Sequence, residues 1–381
     1  MALKFSQPPR IVKQIKNNMD YQPQLVVVKI GSNVLTQADG SPDRQRMASL
    51  VKQIAHLKEK GLQVVLVSSG AVAFARNNIK IEEKTDSVVR KQILASVGQI
   101  DIVQSYKELF QAEGHQIAQI VVTPQDFLSR RHYLNIKDCL LGLLNHNIIP
   151  IINENDAVAV TELMFTDNDE LASMTAAMID ADTLILLTNV DGIYKGHPND
   201  PDAQLIEHVG QRTSGVSRYI ASSKSSFGRG GMGSKMKMAK KAAYLGIHVF
   251  IANGNRDDVL LDFYKGQLKS TYFEPHSSKP NPKKWVAHSG NYTKGEVIVN
   301  QGARVALHAD EAASLLPVGV VAITGDFSKG DIIRITDENG EKLGLGKAEY
   351  GSKKAAERIG LNNQKPIVHY NYLYLYKYHN L

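Results

Sequence analysis

The sequence predicts an α/β protein built around a mostly parallel sheet and followed by a small, mostly β domain. Three observations lead there. Between residues 24 and 252, short apolar runs alternate with helical stretches, the signature of strands joined by helical crossovers. Near Tyr272 the texture changes: Pro275, Pro280 and Pro282 fall among Ser, Lys and Asn, and beyond them come short strand-like runs separated by Gly, Asp and Asn. Finally, Asn153-Glu154-Asn155-Asp156 directly follows an apolar run that reads as a buried strand, and Asp167-Asn168-Asp169 stands shortly after it. Such residues are poor strand formers, so their density points to a ligand site at the carboxyl end of a parallel sheet.

Strands are expected at residues 25–30, 63–67, 116–122, 148–152, 183–187 and 247–251. Ser41-Pro42 reads as an N-cap followed by proline in the first helical position, with Gly61 ending that helix; Thr123-Pro124 repeats the device. Ser234 is the expected cap of a helix running to Leu245, and Gly246 ends it. In the second part, strands are expected at 297–299, 320–323 and 331–336. The division is an N-terminal extension (1–23), an α/β domain (24–272), a linker (273–284), a mostly β domain (285–368) and an aromatic tail (369–381) expected as an added edge strand or docked segment.

Composition narrows the function classes. With 43% hydrophobic and 22% charged residues the chain is an ordinary globular protein. No apolar run approaches a spanning helix and the N-terminus has no signal-like apolar core, so a cytoplasmic protein is expected. A single cysteine, Cys139, excludes an intramolecular disulfide framework and a multi-cysteine zinc site; its apolar helical neighbourhood predicts a core thiol. The net charge of +7 permits attraction to anions, but no Lys/Arg block marks a nucleic-acid binder.

The chemistry is carried by several short segments. Lys29 ends the first strand and is followed by Gly31, a placement that suits neutralisation of a terminal phosphate. Ser68 and Ser69 close the second strand where a helix opens, so hydroxyls and backbone N–H groups there can hold a carboxylate or a phosphate. Asp156 and the 167–169 group can hold a substrate ammonium, orient lysines or contact a metal. Residues 228–235, Gly-Arg-Gly-Gly-Met-Gly-Ser-Lys, match the dinucleotide fingerprint literally but lack the preceding strand; they also resemble a P-loop with its last two residues exchanged. What remains is a glycine-rich loop leading into a helix with Lys235 in its first turn, a site for a nucleotide phosphate. The segment from Thr183 through Thr188 and Asn189 to Tyr194 is a buried strand running into a glycine turn; a base or ribose can sit there, but on spacing alone the segment reads as structure.

In this order the segments resemble the amino acid kinase family, and within it the branch that phosphorylates glutamate. The resemblance runs from residue 24 to residue 368 and rests on Lys29-Ile30-Gly31-Ser32, Ser68-Ser69-Gly70-Ala71, Asn153-Glu154-Asn155-Asp156-Ala157, Asp167-Asn168-Asp169, Thr188-Asn189 and Gly230-Gly231-Met232-Gly233-Ser234-Lys235. It implies an amino acid kinase-like sandwich around the sheet, and Gly302-Ala303, the run 312–321 and Gly325-Asp326-Phe327 imply a C-terminal PUA-like domain, to which RNA binding is not carried over. It also implies transfer of phosphate from ATP to the γ-carboxylate of L-glutamate, the first step of proline biosynthesis, with proline as feedback inhibitor and a homo-oligomer (dimer or tetramer). The implied roles are Lys29 and Lys235 on the transferring phosphoryl group, Asp169 holding those lysines, and Ser69, Asp156 and Asn168 on glutamate. Thr188, Asn189 and the loop Arg229, Gly230, Gly231, Met232, Gly233, Ser234 and Lys235 line the ATP site. Mg²⁺ is expected with ATP, held by phosphates and water, and no protein ligand is named for it. Asn189 stands where relatives often carry Asp, and the 1–23 extension and the aromatic tail also depart from the family pattern. Kinases acting on aspartate, acetylglutamate or a nucleoside monophosphate are the nearest alternatives; a scaffold for an RNA-binding domain is the more distant one.

Overall fold

A computed structural model describes residues 23–76, 79–82, 84–158, 167–211, 231–276, 281–288, 290, 293–309 and 313–376. The chain splits into two compact units, Met1–Pro124 with Ile136–Ser278, and Gln125–Asn135 with Lys279–Leu381.

The first unit runs β1 (Leu25–Ile30), α1 (Ser32–Leu35), α2 (Arg44–Glu59), β2 (Gln63–Ser68), α3 (Ala71–Arg76), α4 (Ser87–Ala112) and β3 (Ile117–Val122). The chain next forms α5 (Pro124–Leu128) and α6 (Arg130–Asn145), of which residues 125–135 belong to the second unit, and the first unit resumes with β4 (Ile149–Glu154), α7 (Asn168–Met178), β5 (Thr183–Thr188) and the short β6 (Tyr194–Lys195), β7 (Gln204–Leu205) and β8 (His208–Val209). It ends with α8 (Met232–Tyr244), β9 (His248–Asn253), α9 (Val259–Tyr264) and β10 (Ser270–Phe273). Eight strands form one sheet in the order β3-β4-β2-β1-β5-β9-β10-β8, and only the β9–β10 pairing is antiparallel.

The expected mostly parallel sheet is therefore present, and its layers follow from side-chain alternation. Val26, Val28 and Ile30 of β1 join Leu50, Ile54 and Leu57 of α2 and Ile102, Tyr106 and Phe110 of α4 in one core. Lys29 falls on the opposite face, where α7 packs across β1, β2, β4 and β5. Asp169 through Met178 of α7 are all buried, so this helix is enclosed rather than amphipathic. On the other side α4 lies so close to α3 that a Cβ at Gly98 would stand 1.7 Å from the Ala71 carbonyl oxygen, which fixes the place of α4.

Three local expectations are corrected. Asp43, not Ser41, caps α2, its carboxylate accepting from Arg46 N at 2.8 Å; Pro42 lies in a bridge with Thr36 before the helix. The N-cap of α8 is Gly231, which places Ser234 inside the first turn. Cys139 is exposed, because the buried stripe of α6 passes through Tyr133, Leu140 and Leu144 and one residue of helix turns Cys139 about 100° away from it. No helix among the described residues is long and apolar enough to cross a membrane.

The second unit contains α10 (Asn281–His288), β11 (Gly295–Val299), α11 (Gln301–His308), β12 (Val320–Gly325), β13 (Ile332–Asp337), β14 (Lys342–Ala348), α12 (Ser352–Ala356) and β15 (Val368–Leu375). Its sheet has the order β12-β11-β13-β14-β15, so the aromatic tail begins as an edge strand. Residues 125–135 cluster with this unit. There the indole of Trp285 donates to the Phe127 carbonyl at 2.7 Å, and the Arg130 guanidinium lies over the Trp285 and Tyr133 rings.

Candidate active site

The carboxyl ends of β1, β2, β4 and β5 open onto a cavity of about 860 Å³ in the first unit, large enough for small-molecule ligands. Lys29, Ser69, Asp156, Asn168, Asp169, Thr188, Asn189 and Lys235 all line it. Gly231, Met232, Gly233 and Ser234 begin α8 and lead to Lys235. Arg229 and Gly230 lie outside the described residues, as do residues 1–22 of the N-terminal extension and residues 377–381 of the tail.

At the centre is a buried triad. Asp169 Oδ1 lies 2.7 Å from Lys29 Nζ and Asp169 Oδ2 lies 3.0 Å from Lys235 Nζ. The carboxylate is fully inaccessible. Burial alone would raise its pKa, but the two ammonium groups outweigh burial and hold Asp169 below the usual carboxylate range. Within the triad two ammonium groups flank one carboxylate, and the Asp167 carboxyl stands beside them, interacting electrostatically with both Asp169 and Lys29.

The backbone contributes as well. Asp167 caps α7 by accepting from Asp169 N (2.9 Å) and Glu170 N (3.0 Å), and its other oxygen accepts from Ser234 Oγ at 2.6 Å. One carboxylate thus ties together the N-termini of α7 and α8, the ends of both helices that favour anions. Burial and the neighbouring charge of Asp169 raise the pKa of Asp167 despite the groups that donate to it.

Beside the triad is a carboxamide cluster. Asn168 Nδ2 faces Ser69 Oγ at 2.7 Å, Asn153 Oδ1 at 3.0 Å and the Ser68 carbonyl at 3.1 Å. Asn153 in turn donates to Gln99 Oε1 on α4 at 2.7 Å. Asp156, just past β4, is ion-paired to Lys91 of α4 at 2.6 Å. Thr188 ends β5, and Asn189 follows it at the start of the turn. The turn after them is held by Asp191, which takes two bonds from Arg256 (2.6 and 2.8 Å) and one from Lys269 (2.9 Å). Hydrogen bonding to Arg256, with Lys269 beside it, keeps the Asp191 carboxyl far below its usual range despite desolvation.

Lys91 and Gln99 were not singled out from the sequence, and Asn153 was read only as part of the 153–156 cluster, without a role of its own. Lys91 and Gln99 sit two turns apart on a long mixed helix with no motif, and only the fold brings them to the end of β4.

This constellation of two lysines, an aspartate between them and two helix N-termini can bind and neutralise a phosphoryl group, while the adjoining carboxylates, carboxamides and hydroxyls can bind a small polar acceptor. The amino acid kinase family profile matches residues 24–253, and a PUA domain profile matches residues 295–370. The chain belongs to the amino acid kinase family. Within that family it is 46% identical over 353 residues to the glutamate 5-kinase of Bacteroides thetaiotaomicron, covering 92% of this chain and 98% of the relative. It is 43% identical over 355 residues to the glutamate 5-kinase of Chlorobaculum tepidum, covering 92% and 97%. A glutamate 5-kinase of Dehalococcoides mccartyi strain CBDB1 is 38% identical over 344 residues, covering 89% and 92%. The family assignment agrees with the position of the triad at the strand ends of an α/β sheet.

Proposed function

We propose that this protein transfers the γ-phosphoryl group of MgATP to the γ-carboxylate of L-glutamate, giving γ-glutamyl 5-phosphate, the first step of proline biosynthesis. The observation that carries the reading is the Lys29–Asp169–Lys235 triad, set beside the Asn168–Ser69 and Asp156 groups in one cavity. The names of relatives that match nearly the whole chain support the choice of acceptor.

A carboxylate is already a nucleophile at neutral pH, so the reaction needs positioning and charge neutralisation rather than a general base. Lys29 and Lys235 are assigned to the oxygens of the transferring group, with Asp169 fixing both ammonium groups before substrate arrives. Asp156 is assigned to the α-ammonium of glutamate and Asn168 with Ser69 to its polar ends. Thr188, Asn189 and the loop 229–235 are assigned to the nucleotide. Mg²⁺ enters as part of the nucleotide substrate. Both oxygens of Asp169 face lysines and those of Asp167 accept protein donors, and among the described residues no group of three or more Asp, Glu, His or Cys side chains is placed to hold a metal. Phosphate oxygens and water are its assigned ligands, and no protein ligand is named for it. Feedback inhibition by proline, a homo-oligomeric state and a cytoplasmic setting belong to the same reading.

The test is ATP consumption with glutamate and Mg²⁺ in the presence of hydroxylamine, which traps an acyl phosphate as the hydroxamate. Glutamate-dependent hydroxamate that falls when proline is added is the expected result. Turnover with aspartate or a nucleoside monophosphate, and none with glutamate, would keep the fold and replace the acceptor.

A further inference from the structure

Asp156 does not stand alone in the cavity: Lys91 Nζ lies 2.6 Å from its Oδ1, and both residues line the site. The lysine comes from the second turn of α4, a helix whose placement is fixed at three points. Asp86 caps its start by accepting from Val88 N and Val89 N. Gly98 presses against the Ala71 carbonyl, and Gln99 holds Asn153. The backbone under Lys91 is therefore anchored while its side chain remains about one-third exposed (34%) on a flexible four-carbon stem.

An α-amino acid carries an ammonium and a carboxylate on the same carbon, so the groups that recognise them must be neighbours. Lys29 and Lys235 are shared with Asp169 and assigned to phosphate. Arg76 also lines the cavity, from the last turn of α3, but Lys91 is the cation in contact with Asp156. A lysine–aspartate pair at hydrogen-bond distance is the charge complement of an amino-acid headgroup. Exchange of partners replaces one ion pair by two, and because the protein pair and the zwitterionic headgroup are each neutral, the headgroup adds no net charge beside Asp156.

We infer that Lys91 is a specificity-determining residue that binds the α-carboxylate of the acceptor while Asp156 binds its α-ammonium. This rests on the proposed reading of the cavity as the site of an amino-acid acceptor.

The experiment compares L-glutamate with its α-amide, isoglutamine, which keeps the γ-carboxylate and the α-ammonium but carries a neutral amide in place of the α-carboxylate. Hydroxamate formation is measured for the full-length wild type, K91M and K91Q, with thermal melts to check folding. Loss of a charged hydrogen bond is expected to lower kcat/KM for glutamate roughly 10- to 100-fold in K91M and K91Q, mainly through KM. The same variants should leave kcat/KM for the α-amide and KM for ATP within about threefold, and K91R should recover much of the loss. An equal loss on both acceptors would overturn the inference, because it would mean that Lys91 acts only through Asp156; so would an unchanged KM for glutamate. Should K91M fail to fold, K91Q, which keeps a polar head able to donate to Asp156, gives the same readout. Failure of the wild type to form any hydroxamate from glutamate would instead sink the functional reading on which the inference stands.

Discussion

Asp169 and Asp156 both carry lysine partners in the same cavity, yet their environments differ. Asp169 is fully inaccessible, and its two lysine side chains are 5% and 10% exposed. Asp156 is 15% exposed and its partner Lys91 is 34% exposed. Two ammonium groups and a carboxylate withdrawn from water are costly to assemble and stay in place only when each charge is compensated. Such a cluster is preorganised, which suits charge that develops during transfer of a phosphoryl group. A pair that water still reaches can change partners at low cost, which suits recognition of a substrate that brings its own charges. The triad is therefore expected to govern turnover, and the Asp156 pair binding.

The largest effect is expected at the triad. Lys235→Ala and Lys29→Met should each lower kcat about 10³-fold or more, as removal of a preorganised donor to transition-state charge does, while the KM for glutamate stays within about threefold. Steady-state hydroxamate kinetics with saturating ATP separate the two constants. A raised KM with kcat intact would erase the distinction between the two aspartates.

Asp169→Asn tests the same cluster through stability. With the carboxylate neutralised, two buried ammonium groups face each other, and the cost should be about 3–5 kcal/mol in urea unfolding at pH 7. The sign of the pH dependence follows from the depressed pKa of Asp169. The folded protein holds this carboxylate ionised more firmly than the unfolded chain does, so its contribution is present above the usual carboxylate range and is lost as pH falls through the depressed value. The stability gap between wild type and variant should therefore narrow only on strong acidification. A gap that narrows as pH rises would contradict the assigned ionisation.

Asp156→Asn should behave in the opposite way. The KM for glutamate is expected to rise about 10- to 100-fold with kcat within about threefold, and stability should change by less than about 1 kcal/mol, since the pair is partly solvated. A variant as damaging to kcat as the lysine substitutions would place Asp156 with the triad.

How much of this was legible in the sequence depends on the range of the signal. β1, β2, β4, β5 and β9 follow from apolar runs bounded by glycine and polar residues, and the paired helix and strand ends bring Lys29, Asp169 and Lys235 together as the motifs imply. Boundaries were less legible. Asn153 and Glu154 read as the start of a loop, but both pair with β3, because tertiary pairing overrides their weak strand propensity. β14 was unreadable for a related reason. Its Gly344 and Gly346 look like turn residues, yet a Cβ there would stand 2.3 Å from the Tyr374 carbonyl oxygen and 2.5 Å from the Val368 side chain, so close approach of β15 requires glycine within the strand. Lys91 and Gln99 carry no local signal at all, since their partners Asp156 and Asn153 lie far along the chain.

Ser234→Ala offers the smallest effect and the finest test of what keeps the triad rigid. Ser234 Oγ donates to Asp167 Oδ2 at 2.6 Å, and the other oxygen of Asp167 caps α7. This bond links the first turn of α8, which carries Lys235, to the first turn of α7, which carries Asp169. Removing it leaves the cap and both lysine contacts in place, so the loss should be about 1 kcal/mol of stability. Turnover should fall by less than about tenfold, because Lys235 stays anchored to Asp169. If kcat instead fell as far as in Lys235→Ala, the register between the two helix ends, rather than the triad's own ion pairs, would be what holds Lys235 in place. The contrast between the two aspartates would then come from how each is anchored by its helices, not from how deeply it is buried.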